Sequence, residues 1–137
     1  MMQTAPVMKT RIQQYWDKNA CTYDLSYGHG LRSNQEKGLW LELLSRNVKK
    51  KLGSRVLDVG SGTGFLSLLL AELGCTVTGI DLSAEMRRQA AEKAEKAGLE
   101  ISFLPGDAEQ PPFPEKSFDL IISRHVAWTL PDPVKAL

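Results

Sequence analysis

Apolar and polar positions along the chain follow two rhythms that change near residue 53. Before it the period is helical. Ile12, Tyr15, Trp16 and Ala20 share one face of a helix predicted over Lys9 to Ala20. Leu39, Trp40, Leu43 and Leu44 share a face of a second helix over Asn34 to Lys50, which Gly53 ends. Between them, Tyr23 to Ser33 holds glycine and serine breakers and reads as a loop. From Arg55 onward, short apolar runs alternate with helical stretches. Val56 to Val59, Cys75 to Ile80, Glu100 to Leu104 and Phe118 to Ser123 read as strands. Phe65 to Leu73 is apolar nearly all round, which predicts a helix buried against a sheet and stopped by Gly74. Ser83 is a good N-cap for a helix reaching Ala97, with Met86, Ala90, Ala94 and Ala97 along one stripe and Gly98 in the C′ position. Pro111, Pro112 and Pro114 forbid a regular helix before the fourth strand.

Strands alternating with helices predict an α/β fold with a Rossmann-like parallel sheet covered on both faces. Residues 1–53 form a helical cap and 54–137 the core of the same domain. The fourth strand looks central, yet the chain stops at Leu137 as another helix begins after Pro133. That leaves an open sheet edge, expected to be covered by further sequence or by a partner.

The bulk numbers narrow the function classes. The 137 residues suffice for one core, and 42% hydrophobic with 24% charged residues is ordinary for a globular chain. A net charge of +1 with mixed signs gives no basic face for nucleic acid. The most apolar stretch, Phe65 to Ala71, is too short to insert across a membrane, and residues 1–10 lack a secretory segment. Cys21 and Cys75 lie far apart without metal-ligand spacing, so no metal site and a cytoplasmic location are expected.

Chemistry concentrates at the strand ends. Leu57-Asp58-Val59-Gly60-Ser61-Gly62-Thr63-Gly64 is a strand emptying into a glycine turn and then a helix. A bare strand-to-helix turn needs one glycine. Three let the backbone approach a ligand closely, and the following helix offers free N–H groups to an anionic end. A dinucleotide fingerprint would need a third glycine at position 65, which is Phe65, and no P-loop lysine follows Gly64. Asp81 ends the second strand, where a carboxylate can accept from both hydroxyls of an adenosine ribose; it also suits an acid leading into the next helix. Gly106-Asp107-Ala108 follows the third strand, where a carboxylate can take adenine's exocyclic amine and the next N–H a ring nitrogen. Together the three outline an adenosine pocket at the carboxyl edge of the sheet.

The chain here resembles the class I S-adenosylmethionine-dependent methyltransferases, in particular the group that includes ubiquinone and menaquinone biosynthesis enzymes. The resemblance runs from Tyr15 to Pro133. It rests on Tyr15-Trp16-Asp17 with Ala20 and Tyr23-Asp24, Val56 to Gly64, Gly79-Ile80-Asp81-Leu82-Ser83, Gly106-Asp107-Ala108 and Phe118-Asp119-Leu120-Ile121. It implies that Asp58, Gly60 and Gly62, in the turn that also holds Ser61 and Gly64, line the methionine part of the cofactor S-adenosyl-L-methionine. Asp81 would hold the ribose, Leu82 and Met86 pack on adenine, and Gly106, Asp107 and Ala108 read its edge. Tyr23 would close over the methionine end. Met86 is equally well explained as core.

Methyl transfer from a sulfonium asks mainly for alignment and exclusion of water, with a general base only where the acceptor must lose a proton. His125 is the better placed histidine for that role and His29 the other, while Arg124 and Trp128 fall on the acceptor side. The family builds strand order 3-2-1-4-5-7-6, of which only 3-2-1-4 is encoded here. The expected function is methyl transfer to a small-molecule acceptor. Two alternatives are a non-catalytic cofactor-binding module or truncated inactive fragment, and a nicotinamide-dependent oxidoreductase. The open fourth strand predicts a homodimer or other assembly.

Overall fold

A computed structural model describes residues 5–19, 33–48, 53–109, 111–114 and 117–124. Their elements are α1 (Ala5–Asn19), α2 (Asn34–Asn47), β1 (Arg55–Val59), α3 (Phe65–Glu72), β2 (Thr76–Asp81), α4 (Ala84–Lys96), β3 (Ile101–Pro105) and β4 (Leu120–Ser123). The strands form one sheet in the order β3-β2-β1-β4, every neighbouring pair parallel. This is the predicted Rossmann-like order, with β1 and β2 at its centre.

The pleat sorts β1 into two sets. Val56 packs with Leu66, Leu69 and Leu70 of α3, Val77 of β2 and Leu44 of α2. Leu57 and Val59 face the other way, toward Ile80, Ala108, Phe113 and Phe118. Helices α2 and α3 thus lie on the first face, and among the described residues the segment after β3 packs on the other. That face thins out beyond β1: Ile121 of β4 is 63% exposed although its run reads as central.

The helix ends follow local rules, the helix faces less so. Ser83 caps α4 by accepting the Met86 N–H at 3.2 Å, and Gly98 takes the left-handed conformation just past its end, as expected. Met86, Ala90 and Ala94 are buried, but Ala97 is exposed, since the helix has ended at Lys96. In α2 the inward residues are Trp40, Leu41, Leu44 and Val48. Leu39 and Leu43, expected inside, are 62% and 51% exposed, because α2 meets α3 along a line rotated from the stripe that the leucines suggest. Tyr15 of α1 is exposed, whereas Ile12 and Trp16 of the same predicted face are half-buried.

Candidate functional site

The carboxyl ends of β1, β2 and β3 converge with α1. The glycine turn after β1 needs its glycines, with φ of 67° at Gly60, 57° at Gly62 and 91° at Gly64, all in the left-handed region. The Ser61 N–H donates to the Ile80 carbonyl at 2.9 Å, fastening the turn to β2. Close seating is possible because Gly79 lies beneath: a Cβ there would stand 2.8 Å from Ser61 and from the Phe103 ring. The buried Ser61 hydroxyl has no hydrogen-bond partner among the described residues.

Asp81 sits where the strand periodicity places it. Its Oδ2 accepts the Gly62 N–H at 3.0 Å and its Oδ1 the Ser83 N–H at 2.9 Å, while Arg87 donates to its carbonyl at 2.7 Å. The residue thus leads into α4 and braces the turn at once. Each carboxylate oxygen keeps a second lone pair for a further donor. Burial raises its pKa, opposed by the Ser83 and Gly62 N–H groups.

Asp58 is 2% exposed and points at α3. It accepts the Ser67 hydroxyl at 2.7 Å and the Ser67 backbone N–H, acting as an internal cap for that helix. Burial pushes its carboxyl up to about 7 against the pull of those bonds. It also borders an open, shallow pocket lined by Gly60, Ser61, Thr63, Phe65, Leu66 and Arg124. Arg124 lies there with its guanidinium 3.7 Å above the Phe65 ring centroid and 5.3 Å from that of Trp40.

At the third strand end, Gly106 lets the chain pass over Ile80, whose Cβ would stand 2.8 Å from a Cβ at 106. Asp107 Oδ1 accepts the Glu109 N–H at 2.9 Å, and Ala108 is buried. Leu82 is half-buried and Met86 buried, as its core explanation requires. Two site neighbours were not expected. Lys9 reaches from α1 to Asp107 Oδ2 at 2.5 Å and Glu109 Oε2 at 3.2 Å. Asp17, eight residues on, accepts the Ser83 hydroxyl at 2.5 Å and the Glu85 N–H at 3.2 Å, adding a second cap to α4. Asp17 belongs to the Tyr15-Trp16-Asp17 motif, which gives it no role by itself, and nothing in the local pattern marks Lys9. Tyr23, His29, His125 and Trp128 lie outside the described residues.

The methyltransferase-domain family matches residues 57–137, which begin in β1 and run through all three strand ends. The chain belongs to that family. The methyltransferase-domain chain is similar to aklanonic acid methyltransferase of Streptomyces sp. strain C5, 37% identical over 94% of this chain and 58% of that protein. It is likewise similar to a ubiquinone/menaquinone biosynthesis C-methyltransferase of Bdellovibrio bacteriovorus, 35% identical over 92% of this chain and 54% of that one. It spans about half the length of the curated relatives it matches. Among solved structures it resembles phosphoethanolamine N-methyltransferase 2 of Haemonchus contortus in complex with phosphomonomethylethanolamine and S-adenosylhomocysteine. That likeness has a TM-score of 0.74 and 28% identity, covering 98% of this chain and 32% of that one.

Proposed function

We propose that this chain binds S-adenosylmethionine across the ends of β1, β2 and β3, and that its protein transfers the methyl group to a small-molecule acceptor. The observation that carries the reading is Asp81, held at the end of β2 by the Gly62 and Ser83 N–H groups. The donor set fits the group: two carboxylates, the buried Asp58 and the half-buried Asp81, suit a ligand carrying positive charge and oppose the pyrophosphate of a dinucleotide. The names of the relatives above, which refer to small molecules as methyl acceptors, support the acceptor class.

When bound, the cofactor supplies a methyl group already activated on a sulfonium. The chain's own residues then bind and orient. The Gly60–Gly64 turn gives close backbone approach to the methionine part, and Asp81 accepts from the ribose hydroxyls. Leu82 and Met86 flank adenine, and Asp107 with the Ala108 N–H reads its edge, provided Lys9 cedes one oxygen of Asp107. Tyr23 closes the methionine end, and His125 takes a proton where the acceptor must lose one. We treat 1–53 and 54–137 as cap and core of one domain, and the protein as cytoplasmic. Among the described residues no helix is long and apolar enough to cross a membrane.

Calorimetric titration with S-adenosylmethionine tests the reading. Asp81→Ala is expected to weaken binding by about thirty-fold or more, the loss of two hydrogen bonds to a charged acceptor. A folded variant that binds as tightly as wild type sinks the assignment. We further propose that the outer edge of β4, which has no neighbouring strand among the described residues, is covered by a second copy. Light scattering is then expected to give about twice the 15.2 kDa chain mass; a clean monomer overturns this.

A further inference from the structure

Resting on that reading of the site, we infer that Arg124 is the residue that recognises the cofactor's amino-acid carboxylate. Ser123 pairs with Val59 across the β1–β4 register, so Arg124 emerges beside Gly60, at the point where the sheet order turns. Its guanidinium is stacked on Phe65 of α3, and Trp40 of α2 meets Phe65 edge-on at 5.3 Å. Two aromatic rings from two helices thus hold the head of a side chain that is otherwise rich in rotamers. A guanidinium held over a ring keeps five N–H donors at its edge, enough to serve a carboxylate alongside other acceptors, and its charge is also felt by Asp58 across the pocket.

The pocket's charges decide what it takes. Among the described residues that line it, Arg124 is the one cation and Asp58 the one anion. The remaining wall is glycine backbone, Ser61, Thr63 and the apolar start of α3, whose first turn carries no acid and whose N-cap, Gly64, makes no side-chain cap bond. A lining with one guanidinium and one carboxylate complements a zwitterion. An α-amino acid presents that pair of charges on one carbon, its carboxylate for Arg124 and its ammonium on the Asp58 side. A purely anionic or purely cationic group would satisfy only half of the lining.

A merely structural role for Arg124, bracing β4 against α2 and α3, is the competing account, and two ligands separate them. S-adenosylhomocysteine carries the amino-acid end; 5′-methylthioadenosine has the same adenosine and sulfur without it. Calorimetry of the full chain is expected to show that Arg124→Met weakens S-adenosylhomocysteine about thirty-fold and leaves 5′-methylthioadenosine within about two-fold. Arg124→Lys, a point charge without the fork, is expected to recover part of the loss. Equal loss for both ligands, or a lower melting temperature with no ligand discrimination, assigns Arg124 to packing and overturns the inference. Unchanged affinity for S-adenosylhomocysteine overturns it too, leaving the guanidinium to an acidic methyl acceptor. A wild-type chain that binds neither ligand defeats the cofactor reading itself, whereas one that binds both with no difference between Arg124→Met and wild type defeats only the role of Arg124.

Discussion

Gly79→Val is expected to leave the chain without a cooperative unfolding transition, and Gly79→Ala to cost about 2–3 kcal/mol in urea denaturation. Gly79 lies opposite Asp58 on one side and Phe103 on the other in the β1–β2–β3 register. A single added methyl would meet Phe103 Cδ1, Ser61 Cβ and Ser61 Oγ, each at 2.8 Å. None of these is the loose end of a long side chain. Ser61 is pinned through its N–H to Ile80, and the Phe103 ring also stands 3.5 Å from where Gly64 would carry a Cβ. Valine adds two further methyls to the same wedge, which consumes a large part of the stability of a small domain. Gly38 is the control. It sits within α2 with nothing within 4 Å of its added Cβ, so Gly38→Ala is expected to gain about 0.5–1 kcal/mol. A cost below about 0.5 kcal/mol for Gly79→Ala would mean that the turn does not rest on β2 as described.

The second large effect is electrostatic. Asp58 has its carboxyl raised from 3.8 to about 7, first by burial and also by the charge of Asp81, with the Ser67 bonds opposing. The native chain therefore holds this proton more tightly than the unfolded chain does. Its contribution to stability is fully present below pH 3.8, falls as pH rises through 7, and is level above that. Roughly 3 units of difference correspond to about 4 kcal/mol at most. Asp58→Asn keeps an acceptor for Ser67 and cannot ionise. It is expected to match wild type near pH 4 and to exceed it by about 2–4 kcal/mol at pH 8. Urea midpoints at the two pH values measure this, and an unchanged difference between them would show that Asp58 is not the group responsible. A residue that weakens the fold at neutral pH is consistent with a charge retained for the pocket it borders.

What was legible in the sequence was what short-range rules govern. Ser83 and Gly98 delimit α4 because cap chemistry is local, and the four strands stand out because short apolar runs between turn residues leave few other assignments. The positions of Asp81 and Asp107 follow from strand ends. What periodicity did not specify is rotation and reach. Leu39 and Leu43 match a helical stripe as well as Trp40, Leu41 and Leu44 do, and only the line of contact with α3 chooses between them. Ile121 reads as core because its run is apolar, while its exposure depends on what covers the far face. Asp58 reads as a ligand residue, and its bond to Ser67 nine positions later shows that it also caps a helix. Lys9 finds Asp107 across 98 positions, a pairing that no window of sequence contains.

That last separation bears on the order in which the molecule assembles. Hydrogen bonds of α1 reach residues 66, 68 and 98 positions away, at the start of α4 and in the segment after β3, which take their places only once β2 and β3 have joined β1. Contacts of such span close long loops, and little rewards that closure until the sheet is in place. Seating of α1 is thus expected to follow assembly of the sheet, and the buried Glu109 gains the Lys9 ammonium at that step.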